Sequence, residues 1–463
     1  MRLAYAIAAL FGAHYAALAG DALRRDGDLA WQRWLGEIVL RSHHLPSALG
    51  AETFAAAGSA WVPQEWIFGT VLALSLRAHV FTLFALGVAF AASAALAAIA
   101  WRAHLRGASI PAIVVVVLLA GVAMEQMFGV RAQVAVWPLL ALFLIALERP
   151  GRGNYAAVAI VALWANLHAS AMLAPALATL WAIGVALDFG VGSANALRAA
   201  VVAAGCALAT FATPFGARLP LYAFALLHSP IRHAILEWRA PHLTDLSFGF
   251  GVVPLAFGVF ALAVVKRHLT WRDALLCCAA VALALQAVRN MPLAAIVLAP
   301  VLAQLLTSLL PERPRLAALL RERGVALVGA IAVVAGAGAI AWQTVRLERV
   351  APSRLPVREV ARAATLPGAR RLYCEDFAWC SLALAHVNLH TFIDGRCDPF
   401  PPRLWSAYLE VQSAASRRFG DLARYRIDTI IAARSGALAR ALRDRRGWRV
   451  VLADARFVLF ARE

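Results

Sequence analysis

The feature that most constrains this chain is the length of its uncharged apolar runs. Ile110–Met124 and Val325–Trp342 contain no charged side chain, and each is long enough to pass through most of a bilayer. The whole chain of 463 residues is 62% hydrophobic and 15% charged, with a mean hydropathy of +0.71. Soluble domains are about 45–50% apolar and about 25% charged. The sequence therefore predicts a polytopic helical membrane protein, and its continuous apolar runs exclude a transmembrane β-barrel, whose strands alternate polar and apolar residues.

The apolar runs predict an all-α membrane domain of about eleven transmembrane helices. Residues 1–20 resemble a signal peptide, but their length and the many later spans favour an uncleaved first helix. Residues 66–76 predict a short interfacial or re-entrant helix, because Arg77 and His79 end the run early. The predicted spans lie near 2–20, 80–101, 110–128, 132–148, 155–170, 171–188, 197–213, 250–265, 273–289, 291–310 and 325–342.

The net charge of +18 is explained by short basic loops between spans. With the N-terminus in the cytoplasm, every predicted cytoplasmic loop is basic, as the positive-inside rule requires. This predicts a multi-pass protein of the bacterial inner membrane with its tail on the extracytoplasmic side. Nucleic acid is not predicted as a partner, since no basic stripe alternates with aromatic residues. The loop residues are Arg102, Arg106, Arg149, Arg152, Arg198, Lys266, Arg267, Arg272, Arg313, Arg315, Arg321 and Arg323.

Composition divides the chain into two predicted domains. Residues 1–349 form the transmembrane domain, with outer loops at 21–79 and 214–249, and Leu29–Leu40 in the first loop has an amphipathic helical pattern. Residues 350–463 predict a small extracytoplasmic α/β domain. One disulfide is expected among Cys374, Cys380 and Cys397, with its pairing open. Strand patterns occur at 371–374, 391–394, 429–433, 449–453 and 457–461, and helical patterns at 403–418 and 436–446.

Polar side chains collect on the predicted outer face. Ionisable groups are costly near a bilayer, so this convergence of six chain segments is the strongest functional signal in the sequence. Each group also has an ordinary structural interpretation: Asp26 and Asp28 offset nearby arginines, Arg131 and Arg289 extend to the interface, and Glu237 pairs with Arg239. The residues are Asp26, Asp28, Glu65, Glu125, Arg131, Gln133, Asn166, His168, Glu237, Trp238, Arg239, Arg289 and Asn290.

Such a set suits group transfer from a lipid-linked phosphate donor. A carboxylate can act as general base on an acceptor hydroxyl, while arginines neutralise the leaving phosphate. A turn at Asp394, Arg396 and Asp398 in the tail is interpreted as structural, with an internal ion pair.

At these residues the chain resembles a family of bacterial polytopic membrane proteins related to the GT-C glycosyltransferases, which use polyprenyl-phosphate sugars. The resemblance covers nearly the whole chain, and the order and spacing of its motifs carry it. Two positions depart from the pattern: Gln32 stands where relatives often have histidine, and Glu52 is the nearest acid to an aspartate expected after Leu45–Pro46. The motifs are Asp26–Trp31, Leu35–Gly36, Leu45–Pro46, Trp61–Trp66, Arg131–Gln133, Leu163–His168, Leu236–Pro241, Arg289–Asn290, Ile393–Pro399, Trp448, Asp454 and Phe460.

The resemblance implies a GT-C-like fold with a catalytic acid in the first outer loop. That acid is Asp28 or Asp26, Glu65 is a second acid, and His168 and Arg289 are candidates for the donor phosphate. Together with the clustering, it makes Arg131, Asn166, Glu237 and Trp238 candidates for substrate binding.

The predicted function is transfer of a sugar from a polyprenyl-phosphate carrier to a glycan, lipid or protein acceptor of the cell envelope. No cofactor is firmly predicted, and a divalent cation, Mg²⁺ or Mn²⁺, at the acids is an open option. Two alternatives stay open: a transporter or flippase of a lipid-linked or anionic solute, and a non-catalytic envelope scaffold.

Overall fold

A computed structural model of the protein describes residues 1–227, 235–266, 269–311, 354–413 and 420–463. The predicted span at 325–342 lies outside these residues. The chain forms two compact units. The helical unit contains Met1–Gly20, Phe81–Ala223 and, among the described residues, 235–311. The mixed unit contains Asp21–Val80, 224–227 and the described tail from Arg354.

The helical unit is built from apolar helices. Five helical segments in the described part of the chain are long and apolar enough to cross a membrane, so the protein is a multi-pass membrane protein, although the predicted count of about eleven is not confirmed. These segments are Arg2–Ala19, Phe81–Leu105, Ala169–Phe189, Phe248–Lys266 and Val288–Leu306, and shorter apolar helices lie at Ile110–Glu125, Ala132–Glu148 and Ala194–Ala209. The unit's α-helices are α1 Arg2–Ala19, α5 Phe81–Leu105, α6 Ile110–Glu125, α7 Ala132–Ala135, α8 Trp137–Glu148, α9 Ala156–Leu167, α10 Leu173–Phe189, α11 Ala194–Ala209, α13 Val253–Lys266, α14 Trp271–Gln286 and α15 Met291–Leu306. Helix α12, Arg218–Leu227, begins in this unit and ends with residues 224–227 of the mixed unit.

Proline explains one difference between the predicted and observed helices. The predicted span 132–148 is divided into α7 and α8, and Pro138 occupies the first turn of α8. Proline has no N–H to donate, so it is favoured in a first turn and disfavoured inside a helix. Helix α15 is the most buried of the five long segments, and it packs against α5, α6, α8, α13 and α14.

Charged side chains join several helices of this unit in a buried network. Arg102 is 1% exposed, and its guanidinium lies 2.7 Å from the Glu148 carboxylate. Arg106 also bonds to Glu148 at 2.6 Å and to Asp273 at 2.5 Å, and its Nε donates to Gln304 at 3.0 Å. Arg102, predicted to lie in a loop, instead lies inside α5, whereas Arg106 lies in the turn that follows α5, as predicted. Their charges are matched by two carboxylates, which makes their burial tolerable.

The mixed unit begins with α2 (Ala22–Arg25), α3 (Asp28–Ser42) and α4 (Trp66–Arg77). Helix α3 confirms the amphipathic helix predicted at Leu29–Leu40. It packs closely on α4, because a Cβ added at Gly36 would lie only 2.0 Å from the Gly69 carbonyl oxygen. Glycine at this crossing permits the two backbones to approach each other.

The tail forms the predicted small α/β fold. Its five strands are β1 (Arg370–Cys374), β2 (Leu389–Thr391), β3 (Thr429–Ala433), β4 (Trp448–Ala453) and β5 (Phe457–Arg462). They form one sheet in the order β2-β1-β3-β5-β4. Strand β1 is parallel to β2 and β3, whereas β5 is antiparallel to β3 and β4. The predicted strand at 391–394 lies earlier, at Leu389–Thr391, because Asp394 belongs to a turn. The tail helices are Val357–Ala364, Phe377–Cys380, Pro402–Gln412, Gly420–Arg424 and Ala437–Arg443.

Cys374 and Cys380 form the disulfide, and Cys397 is a buried free thiol. We expect four alkylated cysteines in the denatured, unreduced protein and six after reduction, measured by intact-mass spectrometry. A Cys374→Ser variant should show five in both states. Six adducts before reduction would contradict the disulfide.

Candidate functional site

The mixed unit places Asp26 and Asp28 at the start of α3. The Asp26 carboxylate accepts a hydrogen bond of 3.1 Å from the Asp28 backbone N–H. Trp31, one turn later, donates its indole N–H to Asp28 Oδ1 at 3.3 Å. Acidic groups are stabilised at a helix N-terminus by the helix dipole. Both residues are half-buried.

The tail contacts Asp28 directly within this unit. A Cβ added at Gly395 would lie 2.8 Å from Asp28 Oδ1 and 2.6 Å from Ser381 Oγ. Gly395 also donates its backbone N–H to Ser381 Oγ at 3.0 Å. Only glycine therefore fits at position 395, between the Asp28 carboxylate and the Ser381 hydroxyl. This explains the glycine in the Ile393–Pro399 motif.

Glu65 lies at the start of α4, where two amide side chains bind its carboxylate. Gln32 Nε2 donates to Oε2 at 2.5 Å, and Gln64 Nε2 donates to Oε1 at 3.2 Å. Gln32 follows Asp28 by one helical turn, so the two side chains share a face of α3. Gln32 is 3% exposed, and within the described residues its Oε1 atom has no hydrogen-bond partner. The departure from histidine at position 32 therefore leaves a buried acceptor beside an acid.

Arg396 of the tail contacts several residues of segment 21–79. Its guanidinium binds both oxygens of Asp394, at 2.9 and 2.7 Å, and Glu52 at 2.8 Å. It also lies over the rings of Trp34 and Trp61, at 4.9 and 5.1 Å. The Arg396 and Asp394 side chains are 0% exposed. The prediction of a structural turn with an internal ion pair is thus confirmed for Asp394 and Arg396, and Glu52, the substitute acid, takes part.

The helical unit brings three other predicted residues together. Arg289, in the turn between α14 and α15, lies 4.4 Å above the ring of Trp238. The same guanidinium donates to Gln133 Oε1 at 3.2 Å, and Gln133 Nε2 donates to the Arg289 carbonyl at 3.1 Å. The ring contact and the Gln133 hydrogen bond together fix the position of this guanidinium, and a fixed guanidinium suits recognition of a phosphate or carboxylate.

The two arginines beside this group pair differently from the structural interpretation offered by the sequence. Glu237 pairs with Arg131, whereas Arg239 binds both oxygens of Asp245 at 2.8 and 2.7 Å. The hydrogen bonds from Arg239 and then from the His242 backbone lower the pKa of Asp245 to about 2. Sequence reasoning missed Asp245, although it lies six residues after Arg239 in a polar loop.

Asn166 and His168 end α9 in the same unit. Asn166 Nδ2 donates to the carbonyls of Ala162 and Ala212, at 2.9 and 2.7 Å. His168 Nδ1 accepts the Ser170 backbone N–H at 3.0 Å, and its ring is close enough to Arg289 for electrostatic interaction. Asn166 is therefore held by backbone carbonyls, while His168 belongs to the Arg289 neighbourhood. Glu125 pairs instead with His14, at 2.7 Å.

The acids do not form a metal site in the described part of the chain. No group of three or more histidine, cysteine, aspartate or glutamate side chains there is placed to hold an ion. Asp26 binds a backbone N–H, and Glu65 binds two amides.

Comparison with known proteins gives a match in structure alone. No protein-family model matches the chain, and no curated protein matches it in sequence. The oligosaccharyltransferase AglB from Archaeoglobus fulgidus, in complex with an inhibitory peptide and a dolichol-phosphate, matches at 11% identity with a TM-score of 0.59. That match covers 99% of this chain and 74% of AglB.

Two further structures are similar. ArnT from Cupriavidus metallidurans, bound to undecaprenyl phosphate, has 12% identity and a TM-score of 0.51, with 96% of each chain covered. A complex of the Archaeoglobus fulgidus oligosaccharyltransferase with Zn and sulfate has 11% identity and a TM-score of 0.51, covering 93% of this chain and 68% of that one. AglB and ArnT are GT-C glycosyltransferases, so the predicted resemblance to that class is confirmed at the level of fold.

Proposed function

We propose that the protein is a membrane glycosyltransferase that moves a sugar from a polyprenyl-phosphate carrier to a cell-envelope acceptor. One observation carries this proposal: a chain with the GT-C fold places the Arg289 guanidinium 4.4 Å from the centre of the Trp238 ring, and Arg131 pairs with the neighbouring Glu237. Oriented guanidinium groups suit a lipid-linked phosphate. His168, near Arg289, is assigned as a further phosphate contact. Trp238 and Glu237 position Arg289 and Arg131. Asn166, whose amide donates to two backbone carbonyls, stays a predicted substrate contact.

In this proposal Asp28 is the general base. Its carboxylate accepts the proton of the acceptor hydroxyl as the hydroxyl oxygen attacks the anomeric carbon of the donor. The bond between that carbon and the phosphate oxygen breaks, and the electron pair leaves with the polyprenyl phosphate. Arg289 and Arg131 neutralise the charge that develops on this leaving group.

Asp26 and Glu65 belong to the same unit as Asp28 and are proposed to position it and the acceptor. Asp26 holds the first turn of α3 through the Asp28 N–H, and Glu65 is fixed by Gln32 and Gln64. The open acceptor on Gln32 and the buried indole N–H of Trp66, which has no partner among the described residues, suit a polyhydroxyl ligand. No group of three or more ligating side chains is placed to hold an ion among the described residues, and the mechanism assigns no step to a cation.

The reaction is proposed to occur on the extracytoplasmic side of the bacterial inner membrane, with the N-terminus in the cytoplasm. The Cys374–Cys380 disulfide supports this side for the tail, since such bonds persist in oxidising compartments. The division at residue 350 stays a prediction, and the tail shares its compact unit with the acid-bearing loop 21–80.

A transporter or flippase is the second candidate function. It is favoured by the buried charged network, because such a protein needs polar groups within the membrane domain. Arg102, Arg106, Glu148 and Asp273 lie at the ends of α5, α8 and α14 that are opposite the Arg131 and Arg289 ends of α8 and α14. Alternating access needs polar groups in both halves of a membrane protein. Here the arginines and carboxylates are paired with one another, so they do not offer a binding surface for a solute at this end of the helices. This favours the transferase over the transporter.

Replacing Arg289 by glutamine is expected to weaken donor binding about tenfold or more, because one charge-assisted phosphate contact is lost. Native mass spectrometry of the detergent-purified protein with a panel of polyprenyl-phosphate sugars measures this binding. Arg239→Gln, which removes the same charge from the neighbouring Asp245 pair, is the matched control and should bind like wild type. If no carrier lipid binds the wild-type protein, the proposed function fails.

A further inference from the structure

A disulfide closes a short segment of the tail that packs against the start of α3. This disulfide segment, Cys374–Ser381, begins at the end of β1 and contains the one-turn helix Phe377–Cys380. Cys374 is 1% exposed and Cys380 is 0% exposed, and both belong to the buried core of the tail. The bond is therefore placed to fix the tail from within.

The helix of the disulfide segment lies against Gly27, the residue before Asp28. A Cβ added at Gly27 would lie 2.4 Å from the Ala378 carbonyl oxygen. The backbone of Gly27 is right-handed, with a φ of −67°, so its conformation does not itself require glycine. The close approach of Ala378 excludes a larger residue. The position of Ala378 thus limits where the first turn of α3 can lie within the mixed unit.

The end of the disulfide segment reaches Asp28 by a second route. Ser381 directly follows Cys380, is 1% exposed, and accepts the Gly395 backbone N–H at 3.0 Å. A Cβ added at Gly395 would lie 2.8 Å from Asp28 Oδ1 and 3.0 Å from Trp31 Cδ1. The turn Ser381–Ala385 also packs on α3. Asp28 is therefore confined by two parts of one covalently closed segment, through Gly27 and through Gly395.

The disulfide joins this segment to the sheet. A single helical turn is not stable on its own, because too few hydrogen bonds offset the cost of ordering it. The Asp376 carboxylate caps the start of the turn by accepting the Ala378 N–H at 2.9 Å. At the other end, Cys380 is bonded to Cys374 on β1, which is an interior strand paired with both β2 and β3. The helix is thus held at both ends.

We infer that the Cys374–Cys380 disulfide is a positioning element for the Asp28 carboxylate. It holds Ala378 and Ser381 at fixed places relative to β1, and these residues confine Asp28 through Gly27 and Gly395. A displacement of about 1 Å in a reacting group can cost about 10²-fold in rate. The benefit to sugar transfer rests on the proposed function, whereas the confinement of the start of α3 does not.

The test uses the double variant C374S/C380S in the full-length protein in nanodiscs. Both cysteines are replaced, so neither is left to pair with Cys397. The variant should fold, because Phe377 keeps its ring contact with Trp405 at 5.3 Å and Trp379 keeps its contact with Phe457 at 5.1 Å. The control is C206A/C277A, which removes two buried cysteines from the helical unit.

Hydrogen–deuterium exchange with mass spectrometry measures the confinement without any substrate. In C374S/C380S the amides of Ala30, Trp31 and Gln32 should exchange about tenfold faster or more, because losing a disulfide typically costs more local stability than a tenfold change requires. The amides of α4 should exchange at the wild-type rate. The control variant should match wild type throughout the mixed unit.

Release of polyprenyl phosphate measures the effect on transfer. C374S/C380S should reduce transfer by about 10- to 100-fold, with donor binding within about twofold of wild type and the pH dependence unchanged, because Asp28 is still the base. In an Asp28→Asn background the same double substitution should change the residual transfer by less than about twofold, since both changes act through one group. Gly27→Ala, which keeps the disulfide and pushes against Ala378, should also reduce transfer.

Three results would overturn this inference. The first is unchanged exchange at the start of α3 in C374S/C380S, and the second is faster exchange throughout the mixed unit, which would indicate general destabilisation. The third is an equal loss of transfer with and without the Asp28 carboxylate. Absence of transfer by the wild-type protein would instead contradict the proposed function, and hydrogen exchange would still decide whether the disulfide positions Asp28.

Discussion

Replacing Arg396 by methionine should lower the free energy of unfolding of the mixed unit by about 3–5 kcal/mol, the usual cost of breaking a buried ion pair. The variant leaves Asp394 fully buried without its bidentate partner, and removes the bond that holds Glu52. The cation–π contacts with Trp34 and Trp61 are lost at the same time.

Pulse proteolysis with trypsin in a urea series measures this loss through the urea midpoint for cleavage of the arginine-rich tail. The double variant R396M/D394L should recover part of the stability, because it leaves no uncompensated charge at position 394. R403Q, at an exposed tail arginine, is the control and should leave the midpoint unchanged. An unchanged midpoint in R396M would show that the network does not stabilise the unit.

The sequence predicted local elements well where one pattern determines them. Strand β3 was predicted at its observed bounds, because an uninterrupted apolar strand such as Thr429–Ala433 is marked by polar residues on both sides. Strand β2 was displaced, since Phe392 and Ile393 continue the apolar run after the hydrogen bonding of the strand has ended. At such a turn, residues can be buried without being paired in the sheet, and an apolar pattern in the sequence indicates burial only.

Long-range charge pairing was not readable from the sequence. Arg102 and Arg106 follow a long apolar run, which is also the pattern of loop arginines at a membrane surface. Their acid partners lie 42 to 167 residues away along the chain, so only the packing of α5, α8 and α14 reveals the pairs. The contact between Arg289 and the Trp238 ring was not predicted either, because it also depends on the packing of distant chain segments.

The candidate site was predicted in part for a related physical reason. Asp28, Glu65, Arg131 and Arg289 stood out because charged side chains near a bilayer are costly. Gln32 was noticed only because it departs from a motif, since burying a neutral amide costs much less free energy than burying a charge. Its hydrogen bond to Glu65 depends on how α3 crosses α4, which Gly36 and Gly69 permit.

Asp28→Asn is expected to reduce sugar transfer by about 10²–10⁴-fold, the usual contribution of a general base. Asparagine has nearly the same shape and retains an oxygen that can accept the indole hydrogen bond of Trp31, so the start of α3 should keep its structure. It does not accept a proton at neutral pH. Binding of the polyprenyl-phosphate sugar should stay within about twofold of wild type, since the proposed phosphate contacts are made by other residues.

Mass spectrometry measures transfer as release of polyprenyl phosphate from the donor in the presence of a cell-envelope extract. Asp26→Asn is the matched control: it removes a carboxylate two residues away that binds a backbone N–H, and a smaller loss is expected. Gly395→Ala tests positioning, because its Cβ would push against Asp28 Oδ1. A positioning defect should leave the pH dependence of transfer unchanged, whereas loss of the base should remove it. Transfer by Asp28→Asn at the wild-type rate would exclude Asp28 as the base, and equal loss in Asp26→Asn with Asp28→Asn unaffected would assign the role to Asp26.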